Sequence, residues 1–187
     1  ASPGDPALPV KQLFIALPPD VDEKTVSADL SNAELEELRG EFYVRPSPPF
    51  AAAAGSEKIY DWGSGKTIIE GKNARVYGKN AFYPESHIRV GNLGKMRRWR
   101  LLEIQFYPFR YNPASQKLIR VVSADITVKY DRLKISEFAE QADSAGDAIN
   151  ADVEKLAANY SQAREWYAAP SGQPDIESFA NTAGIWD

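Results

Sequence analysis

The stretch Asp125-Ile126-Thr127-Val128-Lys129-Tyr130 decides the fold class of this chain. Its apolar side chains occupy the even positions and its polar side chains the odd positions. Successive side chains of a strand point to opposite faces, so this period of two is typical of a strand with one buried and one wet face. We therefore predict a long strand over residues 117–130.

A second long apolar run covers residues 98–107, and a turn sequence separates it from the predicted strand. The turn is Tyr111-Asn112-Pro113-Ala114-Ser115, in which Asn tolerates unusual backbone angles and Pro presets φ. The two runs are therefore predicted to form an antiparallel hairpin at the centre of a sheet.

Shorter strand signals fill the rest of the first 130 residues, as brief apolar runs next to Pro, Gly or Asn. The predicted strands cover residues 10–17, 41–45, 67–69 and 75–77. The segment 31–39 differs, because Ser31 as N-cap and Glu34 in a capping box predict a short helix.

After Asp131 the apolar residues recur at steps of four and three instead of two. The residues on this period are Ile149, Val153, Leu156, Tyr160, Ala163 and Tyr167. They share one face of a helix that Pro170 and Gly172 end. The whole pattern predicts a mainly β fold, an antiparallel β-sandwich with a C-terminal α-helix. The expected division is a β-sandwich core over 1–132, the helix over 133–170 and a linker over 171–187.

The composition of the 187-residue chain, 43% hydrophobic and 26% charged, is that of an ordinary globular protein. A net charge of -4 without a long basic run disfavours nucleic-acid binding, which needs many Lys and Arg contacts to phosphates. The lack of cysteine excludes a disulfide scaffold, a thiolate metal site and a Cys nucleophile. No apolar run approaches the roughly 20 residues that span a bilayer.

Few residues offer catalytic chemistry. His87 is the one histidine of the chain and is interpreted as an ordinary loop or strand-edge residue, so no metal site and no cofactor are expected. The run Gly63-Ser64-Gly65-Lys66-Thr67 is interpreted as a turn, because Tyr60 stands where a phosphate-binding loop needs Gly. The basic patch at 95–100 fits a solvated strand edge or a contact to an acidic partner. The sequence therefore favours a module that binds or holds over an enzyme.

Three motifs follow one another along the chain, namely Tyr83-Pro84, Tyr107-Pro108 and Tyr111-Asn112-Pro113. This order resembles the pro-domains of gingipain-type cysteine peptidases, in which a Tyr-Pro segment precedes a strand and a Tyr-Pro…Tyr-Asn-Pro hairpin. The opening Gly4-Asp5-Pro6-Ala7-Leu8-Pro9 and the segment Ala158-Asn159-Tyr160 are similar to the same family. The resemblance covers most of the chain.

The resemblance implies a non-catalytic pro-domain. Such a module assists the folding of a caspase-like catalytic domain of the same precursor and inhibits it until proteolytic release. That catalytic domain is the expected partner, with no nucleic acid and no membrane span. The implied location is secreted, periplasmic or on the cell surface, of bacterial or archaeal type. Ile185-Trp186-Asp187 is expected to begin the first strand of the catalytic domain.

The resemblance also implies an inhibitory segment within residues 46–65, because a loop ahead of the Val-Tyr-Gly…Tyr-Pro stretch approaches the active-site cleft in related pro-domains. A stiff, Pro-rich strand blocks a cleft at little cost in ordering. The residues expected to contact the partner are Pro46, Pro48, Phe50, Lys58, Tyr60, Asp61, Trp166 and Tyr167.

These contact residues have two roles and a plainer alternative. Lys58 or Asp61 is the candidate for the specificity pocket, whereas Trp166 and Tyr167 are candidate interface anchors on the helix. The alternatives are an ordinary surface loop and a helix whose apolar face simply covers the β core.

Two other functions stay open at this point. A secreted β-sandwich that binds carbohydrate needs two or three coplanar, exposed aromatic rings. The candidate rings are those of Tyr60, Trp62, Tyr83, Trp99 and Tyr107. A permanent structural subunit of a peptidase complex has the same ancestry without latency. Exposure of the rings separates the carbohydrate binder from a pro-domain, which can bury them.

Overall fold

The computed structural model describes residues 2–54, 57–133, 147–168 and 179–181. The strands are β1 Lys11–Leu17, β2 Ser27–Glu37, β3 Phe50–Ala54, β4 Glu57–Asp61, β5 Ile68–Ile69, β6 Lys72–Asn73, β7 Ile88–Met96, β8 Trp99–Phe106, β9 Phe109–Asn112, β10 Lys117–Lys129 and β11 Phe179–Asn181. The helices are α1 Ala74–Tyr77, α2 Asp147–Leu156 and α3 Tyr160–Ala168. The prediction of a mainly β, antiparallel fold with a helical C-terminal part is confirmed.

The chain divides into two compact units, each built from several segments. Unit 1 consists of Ala1–Val10, Glu34–His87 and Tyr107–Val122. Unit 2 consists of Lys11–Ala33, Ile88–Phe106 and Ser123–Asp187. The boundaries expected after residues 132 and 170 stay predictions.

The three-stranded sheet of unit 2 has β8 between β1 and β7, and both pairs are antiparallel. Because β8 is central, most of its side chains are buried, Trp99 and Ile104 almost completely. β1 begins one residue later than its prediction. β7 is absent from the prediction, since its sequence is rich in Gly and charged residues, which is typical of an edge strand.

The predicted hairpin between residues 98–107 and 117–130 is wrong. β8 pairs with β1 and β7, whereas the hairpin partner of β10 is the short strand β9, from Lys117↔Asn112 to Arg120↔Phe109. The turn chemistry is as expected, but Pro108 lacks an N–H and ends β8, so the chain starts a new strand before it turns.

The helix predicted over 31–39 is also wrong, because these residues belong mainly to β2, a neighbour of β10. The hydroxyl oxygens of Ser31 and Thr127 lie 3.3 Å apart across this pair. Acidic side chains of β2 meet basic side chains of β10 in the ion pairs Asp29–Lys129, Glu36–Arg120 and Glu37–Lys117. Cross-strand pairs of opposite charge favour the sheet, so tertiary pairing overrides the local helix signal.

The strand predicted over 75–77 is wrong as well, since these residues lie in the one-turn helix α1. The Oδ1 atom of Asn73 caps this helix by accepting a hydrogen bond from the N–H of Arg75 at 3.1 Å. A short polar residue that satisfies a first-turn N–H is a helix-start signal that the strand prediction ignored.

Residues 41–45, predicted as a strand, form none of the strands that the structure describes. Individual bonds hold this segment instead of a ladder. The N–H of Phe42 donates to the carbonyl of Gln116 at 2.8 Å, and the hydroxyl of Tyr111 donates to the carbonyl of Phe42 at 2.9 Å. The hydroxyl of Tyr77 donates to the carbonyl of Val44 at 2.9 Å.

The helix predicted over 149–167 is two helices, α2 and α3, which a turn at 157–159 separates. In this turn the N–H of Ala158 donates to the carbonyl of Phe14 at 2.9 Å, and the Asn159 side chain bonds Ala16. The polar groups of this turn thus form hydrogen bonds with the backbone of β1. In a continuous helix the backbone groups would have been paired within the helix.

The apolar faces of both helices pack on the sheet of unit 2. The shared core consists of Ala16, Trp99, Leu101, Val153, Ala157 and Ala163. Within the described part of the chain, none of the helices is long and apolar enough to cross a membrane. β11 lies within the segment 171–187 that was predicted to be a linker, and it pairs with β10. Ile185, Trp186 and Asp187 lie outside the described residues.

Candidate functional site

A two-stranded hairpin, β3 and β4, carries four of the eight residues predicted to contact a partner, namely Phe50, Lys58, Tyr60 and Asp61. Its strands pair from Phe50↔Asp61 to Ala54↔Glu57 and form a sheet of their own in unit 1. Three large apolar side chains are exposed, Phe50 by 65%, Ile59 by 52% and Tyr60 by 57%. A small element that leaves such side chains in water is typical of a binding surface.

The register places these side chains on both faces of the hairpin. Phe50 lies opposite Asp61, and Ile59 is two residues from Asp61, so Phe50 and Ile59 share one face. Tyr60 lies opposite Ala51 on the other face. Each strand has one partner in this sheet, so each presents an outer backbone edge to which a further strand can be added.

The prolines before the hairpin have different surroundings. Pro46 is half-buried and forms an antiparallel bridge with Pro6. Pro48 is exposed, close to the start of β3. The Pro-rich segment that leads into β3 is therefore held to the rest of unit 1 at Pro46 and exposed to solvent at Pro48.

The two candidates for the specificity pocket, Lys58 and Asp61, lie at different distances from the tip of the hairpin. Asp61 ends β4, and its Oδ1 atom accepts a hydrogen bond from the N–H of Gly63 at 2.7 Å. Lys58 pairs with Ala53, one step from the tip, and its side chain lies outside the described residues. Residues 63–67 form the turn and the extended connection from β4 to β5, which agrees with the turn interpretation of the Gly-rich run.

A buried carboxylate that the sequence analysis missed lies beneath this region of unit 1. Asp5 is 6% exposed, and its Oδ1 atom accepts from Asn73 Nδ2 at 2.7 Å. Its Oδ2 atom accepts from Lys66 Nζ and from the hydroxyl of Tyr83, each at 3.2 Å. The partners lie 61 to 78 residues further along the chain, a separation that no local pattern reports.

The family-motif residues form the framework of unit 1. Tyr83 and Tyr111 exchange two backbone hydrogen bonds of 2.8 Å, and the peptide bond between Tyr83 and Pro84 is cis. Tyr111 is 1% exposed. The Nε atom of Arg110 donates to the carbonyl of Pro84 at 2.6 Å.

The remaining motif residues also serve backbone pairing. The Oδ1 atom of Asn112 accepts from the N–H groups of Ala114 and Ser115, which closes the turn at Pro113. The N–H of Tyr107 donates to the carbonyl of His87 at 2.7 Å, and the carbonyl of Pro108 accepts from Val121 at 2.9 Å. The motifs that carry the resemblance are thus structural residues.

Trp166 and Tyr167, the predicted interface anchors, lie in α3 and pack within unit 2. The ring of Tyr167 lies 4.2 Å from that of Trp99, centroid to centroid, and Trp166 packs on the same core. The hydroxyl of Tyr167 donates to the carbonyl of Leu17 at 2.6 Å and accepts from the N–H of Arg100 at 3.0 Å. Burial raises the pKa of Tyr167 to about 12, so this hydroxyl keeps its proton.

His87 is buried, and its ring has one satisfied nitrogen. Nδ1 lies 2.8 Å from the carbonyl of Tyr107, to which it donates, whereas Nε2 has no hydrogen-bond partner among the described residues. Burial lowers the pKa of His87, the Tyr107 carbonyl opposes that shift, and the charge of Arg110 adds to it. Among the residues that the structure describes, no three His, Cys, Asp or Glu side chains cluster as metal ligands.

A cavity of about 430 Å³ in unit 1 is lined in part by Ala74 and Tyr77 of α1. The residues that line it include Tyr43, Tyr77, Tyr111 and Glu70. The ammonium of Lys72 lies 5.6 Å from the ring centre of Tyr43 and 5.7 Å from that of Tyr77. Burial, with a smaller contribution from neighbouring tyrosines, raises the pKa of Tyr77, so this hydroxyl keeps its proton.

The aromatic rings proposed for carbohydrate binding are mostly not on the surface. Trp99 is 1% exposed, and Trp62, Tyr83 and Tyr107 are half-buried. Tyr60 alone of the five is exposed. A flat sugar platform needs several wet rings, so this set does not form one.

Comparison with known proteins adds two findings. The profile of the family described as Propeptide_C25 matches residues 1–161. No curated protein sequence matches the chain.

Solved structures also resemble the fold. One is the complex of Porphyromonas gingivalis RgpB pro- and mature domains, with a TM-score of 0.58 and 16% identity over 86% of this chain and 75% of that one. Another concerns the zymogenic latency of gingipain K from Porphyromonas gingivalis, with a TM-score of 0.51 and 19% identity over 71% of this chain and 69% of that one.

Proposed function

This chain belongs to the Propeptide_C25 family, and from that premise we propose that it inhibits a gingipain-type cysteine peptidase of the same precursor until proteolysis releases it. The observation that carries the proposal is the β3–β4 hairpin, which exposes Phe50, Ile59 and Tyr60 on an element with its own sheet. The same module assists folding of the catalytic domain, since a preformed surface can template its cleft. It acts where such peptidases are exported, in the periplasm, on the cell surface or in the medium.

The hairpin suits a substrate-binding cleft for two physical reasons. Its outer strand edges can pair with an extended backbone, which gives affinity through main-chain hydrogen bonds. A hairpin that is already paired loses less conformational entropy on binding than a free loop. The exposed apolar side chains then add buried area on complex formation.

Lys58 is the residue we assign to the specificity pocket. It lies one pair from the tip of the hairpin, where a cleft can enclose it. Asp61 is the weaker candidate, since it ends β4 and its carboxylate already accepts the N–H of Gly63. Pro46, Pro48, Trp166 and Tyr167 then have supporting roles at the base of the hairpin and in unit 2.

Three facts support a role without catalysis. The chain contains no cysteine, and its one histidine is His87. The His87 ring is buried and bonded to a backbone carbonyl, so it is poorly placed to act as a general base on a substrate. The two similar structures concern a complex of pro- and mature domains and zymogenic latency, and we extend those relations to this chain.

The test is inhibition of the separately produced catalytic domain by this chain. We expect a stable complex and suppressed peptide hydrolysis, and Lys58→Ala should raise the inhibition constant about 100-fold, as removal of a central anchor does. The matched control is Lys117→Ala, which removes an exposed lysine of the Lys117–Glu37 pair. Binding without suppression contradicts inhibition and leaves a permanent structural subunit, whereas unchanged potency in both Lys58→Ala and Asp61→Ala contradicts the hairpin assignment.

Carbohydrate binding is the second candidate, and the tyrosine-lined cavity is the observation that favours it. Titration with a panel of neutral and acidic oligosaccharides, followed by tryptophan and tyrosine fluorescence, tests it. Saturable binding that Tyr43→Ala removes would support it. Its absence, together with inhibition of the peptidase, would leave the pro-domain function alone.

A further inference from the structure

One segment of the chain, residues 2–8, here called the arm, holds both ends of the hairpin region in unit 1. On the incoming side, the N–H of Gly4 donates to the carbonyl of Ser47 and the N–H of Ser47 donates to the carbonyl of Asp5, each at 2.8 Å. On the outgoing side, Lys66 Nζ donates to the carbonyl of Pro3 at 2.7 Å and to the Asp5 carboxylate at 3.2 Å.

The polar side chains of the arm and its partners are largely shielded from water, in contrast to the exposed apolar side chains of the hairpin. The side chains of Asp5 and Lys66 are 9% and 18% exposed, and Ser47 is 7% exposed as a residue. Loss of one partner from a buried ion pair leaves the other charge uncompensated, so this pair is costly to break. The arm is therefore a rigid base for an exposed element.

Among the hairpin side chains that the structure describes, the large apolar ones contribute little to holding its orientation. Phe50, Ile59 and Tyr60 are 65%, 52% and 57% exposed, so most of their surface does not pack onto the rest of unit 1. A two-stranded hairpin alone is marginally stable in water. Its direction must then come from the residues that tie down its two ends.

We propose that Asp5 is a positioning residue for inhibition. Through the backbone of Ser47 and the side chain of Lys66 it presets the orientation in which the hairpin enters the cleft. The arm removes entropy from the free pro-domain, so less is lost on binding. This inference rests on the proposed inhibitory function and goes beyond it, because it places the control of potency outside the contact surface.

The experiment uses Asp5→Asn and Lys66→Met, two variants that keep side-chain size and remove one charge each. Lys117→Met is the matched control, since it removes the ammonium of an exposed ion pair in the same unit. The chain has no cysteine, so Tyr60→Cys and Leu35→Cys each create a unique site for a nitroxide spin label. The label at 60 reports the hairpin, and the label at 35, an exposed position of unit 1, reports the framework strand β2.

We expect Asp5→Asn and Lys66→Met to increase the mobility of the label at 60 and not that of the label at 35. In the label-free proteins both variants should raise the inhibition constant about tenfold, in proportion to the lost preorganisation. Lys117→Met should change neither the mobility of the label at 60 nor the inhibition constant. Inhibition is measured well below the melting temperature of each variant, so that unfolding does not imitate the effect.

Unchanged label mobility together with unchanged inhibition in Asp5→Asn and Lys66→Met would overturn the inference. If Asp5→Asn fails to fold, Lys66→Met decides it, because the methionine keeps the packed stem of a more exposed side chain. If the unsubstituted chain does not inhibit, the proposed function fails. The spin-label result still shows in that case whether the arm orients the hairpin.

Discussion

The side-chain amide of Asn159 forms two hydrogen bonds with the backbone of Ala16. Its Oδ1 atom accepts from the N–H of Ala16 at 2.8 Å, and its Nδ2 atom donates to the carbonyl of the same residue at 2.9 Å. Both residues are buried, Ala16 completely and Asn159 at 8% exposure. The amide therefore takes the place of a neighbouring strand at this point of β1 and fixes the start of α3 against the sheet of unit 2.

Replacing Asn159 by Ala should lower the free energy of unfolding by about 3 kcal/mol, because it leaves the buried N–H and C=O of Ala16 without partners. Urea unfolding followed by tryptophan fluorescence measures this loss, since Trp99 lies in the same core. Gln162→Ala on α3 is the control and should cost less than about 1 kcal/mol. Equal effects of the two substitutions would contradict a special role for Asn159.

Replacement of Gly4 by Ala should destabilise the fold for two separable reasons. Its φ is +81°, which L side chains rarely adopt, and a Cβ atom there would lie 2.8 Å from Ile68 Cδ1 and 3.2 Å from the backbone nitrogen of Asn73. Gly4→Ala should therefore lower the free energy of unfolding by more than about 2 kcal/mol.

Gly63 provides a control with the same backbone angle, φ +81°, and no atom within 4 Å of the added Cβ. Gly63→Ala should cost about 1 kcal/mol, the strain of the left-handed conformation alone. Thermal unfolding measures both variants. The difference between their losses of unfolding free energy then gives the cost of the close contacts that a Cβ atom at Gly4 makes. A loss in Gly63→Ala as large as that in Gly4→Ala would show that the close contacts of Gly4 contribute nothing.

Acid should destabilise the folded chain through His87. Its pKa is lowered from 6.5 in the folded state, mainly by burial, so the unfolded state binds the proton more readily. The stabilisation is fully present above pH 6.5 and is lost as the pH falls below that value toward the folded pKa. Protonation would also place a second buried N–H at Nε2, which has no acceptor among the described residues.

The pH effect can be followed at one resonance, because the chain has a single histidine. A proton NMR titration of the His87 ring should give a midpoint below 6.5, and the unfolding free energy should fall between pH 7 and 5 in the same range. His87→Gln removes the titrating group and should flatten this part of the pH profile. A midpoint at or above 6.5 would refute the assignment.

Tyr111 should contribute stability through its hydroxyl as well as its ring. The hydroxyl donates to the carbonyl of Phe42 at 2.9 Å, and the residue is 1% exposed. Tyr111→Phe should therefore lower the free energy of unfolding by about 1 kcal/mol, the net value of one such bond. Thermal unfolding measures this loss. The control Tyr43→Phe, at a position that is 61% exposed, should leave the free energy of unfolding unchanged in the same measurement.

Patterns that depend on neighbouring residues could be predicted from the sequence. The alternation at Ile126 and Val128 predicted a half-buried strand, and both side chains are buried in β10. The Asn112-Pro113 turn was predicted from its own side-chain chemistry, and the Asn112 amide does hold the turn. In these cases the interaction that shapes the chain lies within a few residues, so the sequence contains its whole cause.

The errors share the opposite property. Ser31 begins a helix-like segment, but it lies in β2 because Thr127 and the basic residues of β10 pair with that strand. Residues 98–107 form a strand as expected, although its partners are β1 and β7 rather than β10. Local propensity differs between helix and strand by less than the energy of several cross-strand contacts, so the distant partner decides.

The sequence by itself determined the fold class, the turn before β10 and the family. Only the tertiary structure decided where the long helix divides and what holds the hairpin. Asn159 bonds Ala16 across 143 residues, and Asp5 bonds Lys66 across 61. A buried polar group must find its partner wherever the folded chain brings one, and such a pairing leaves no periodic trace in the residues on either side.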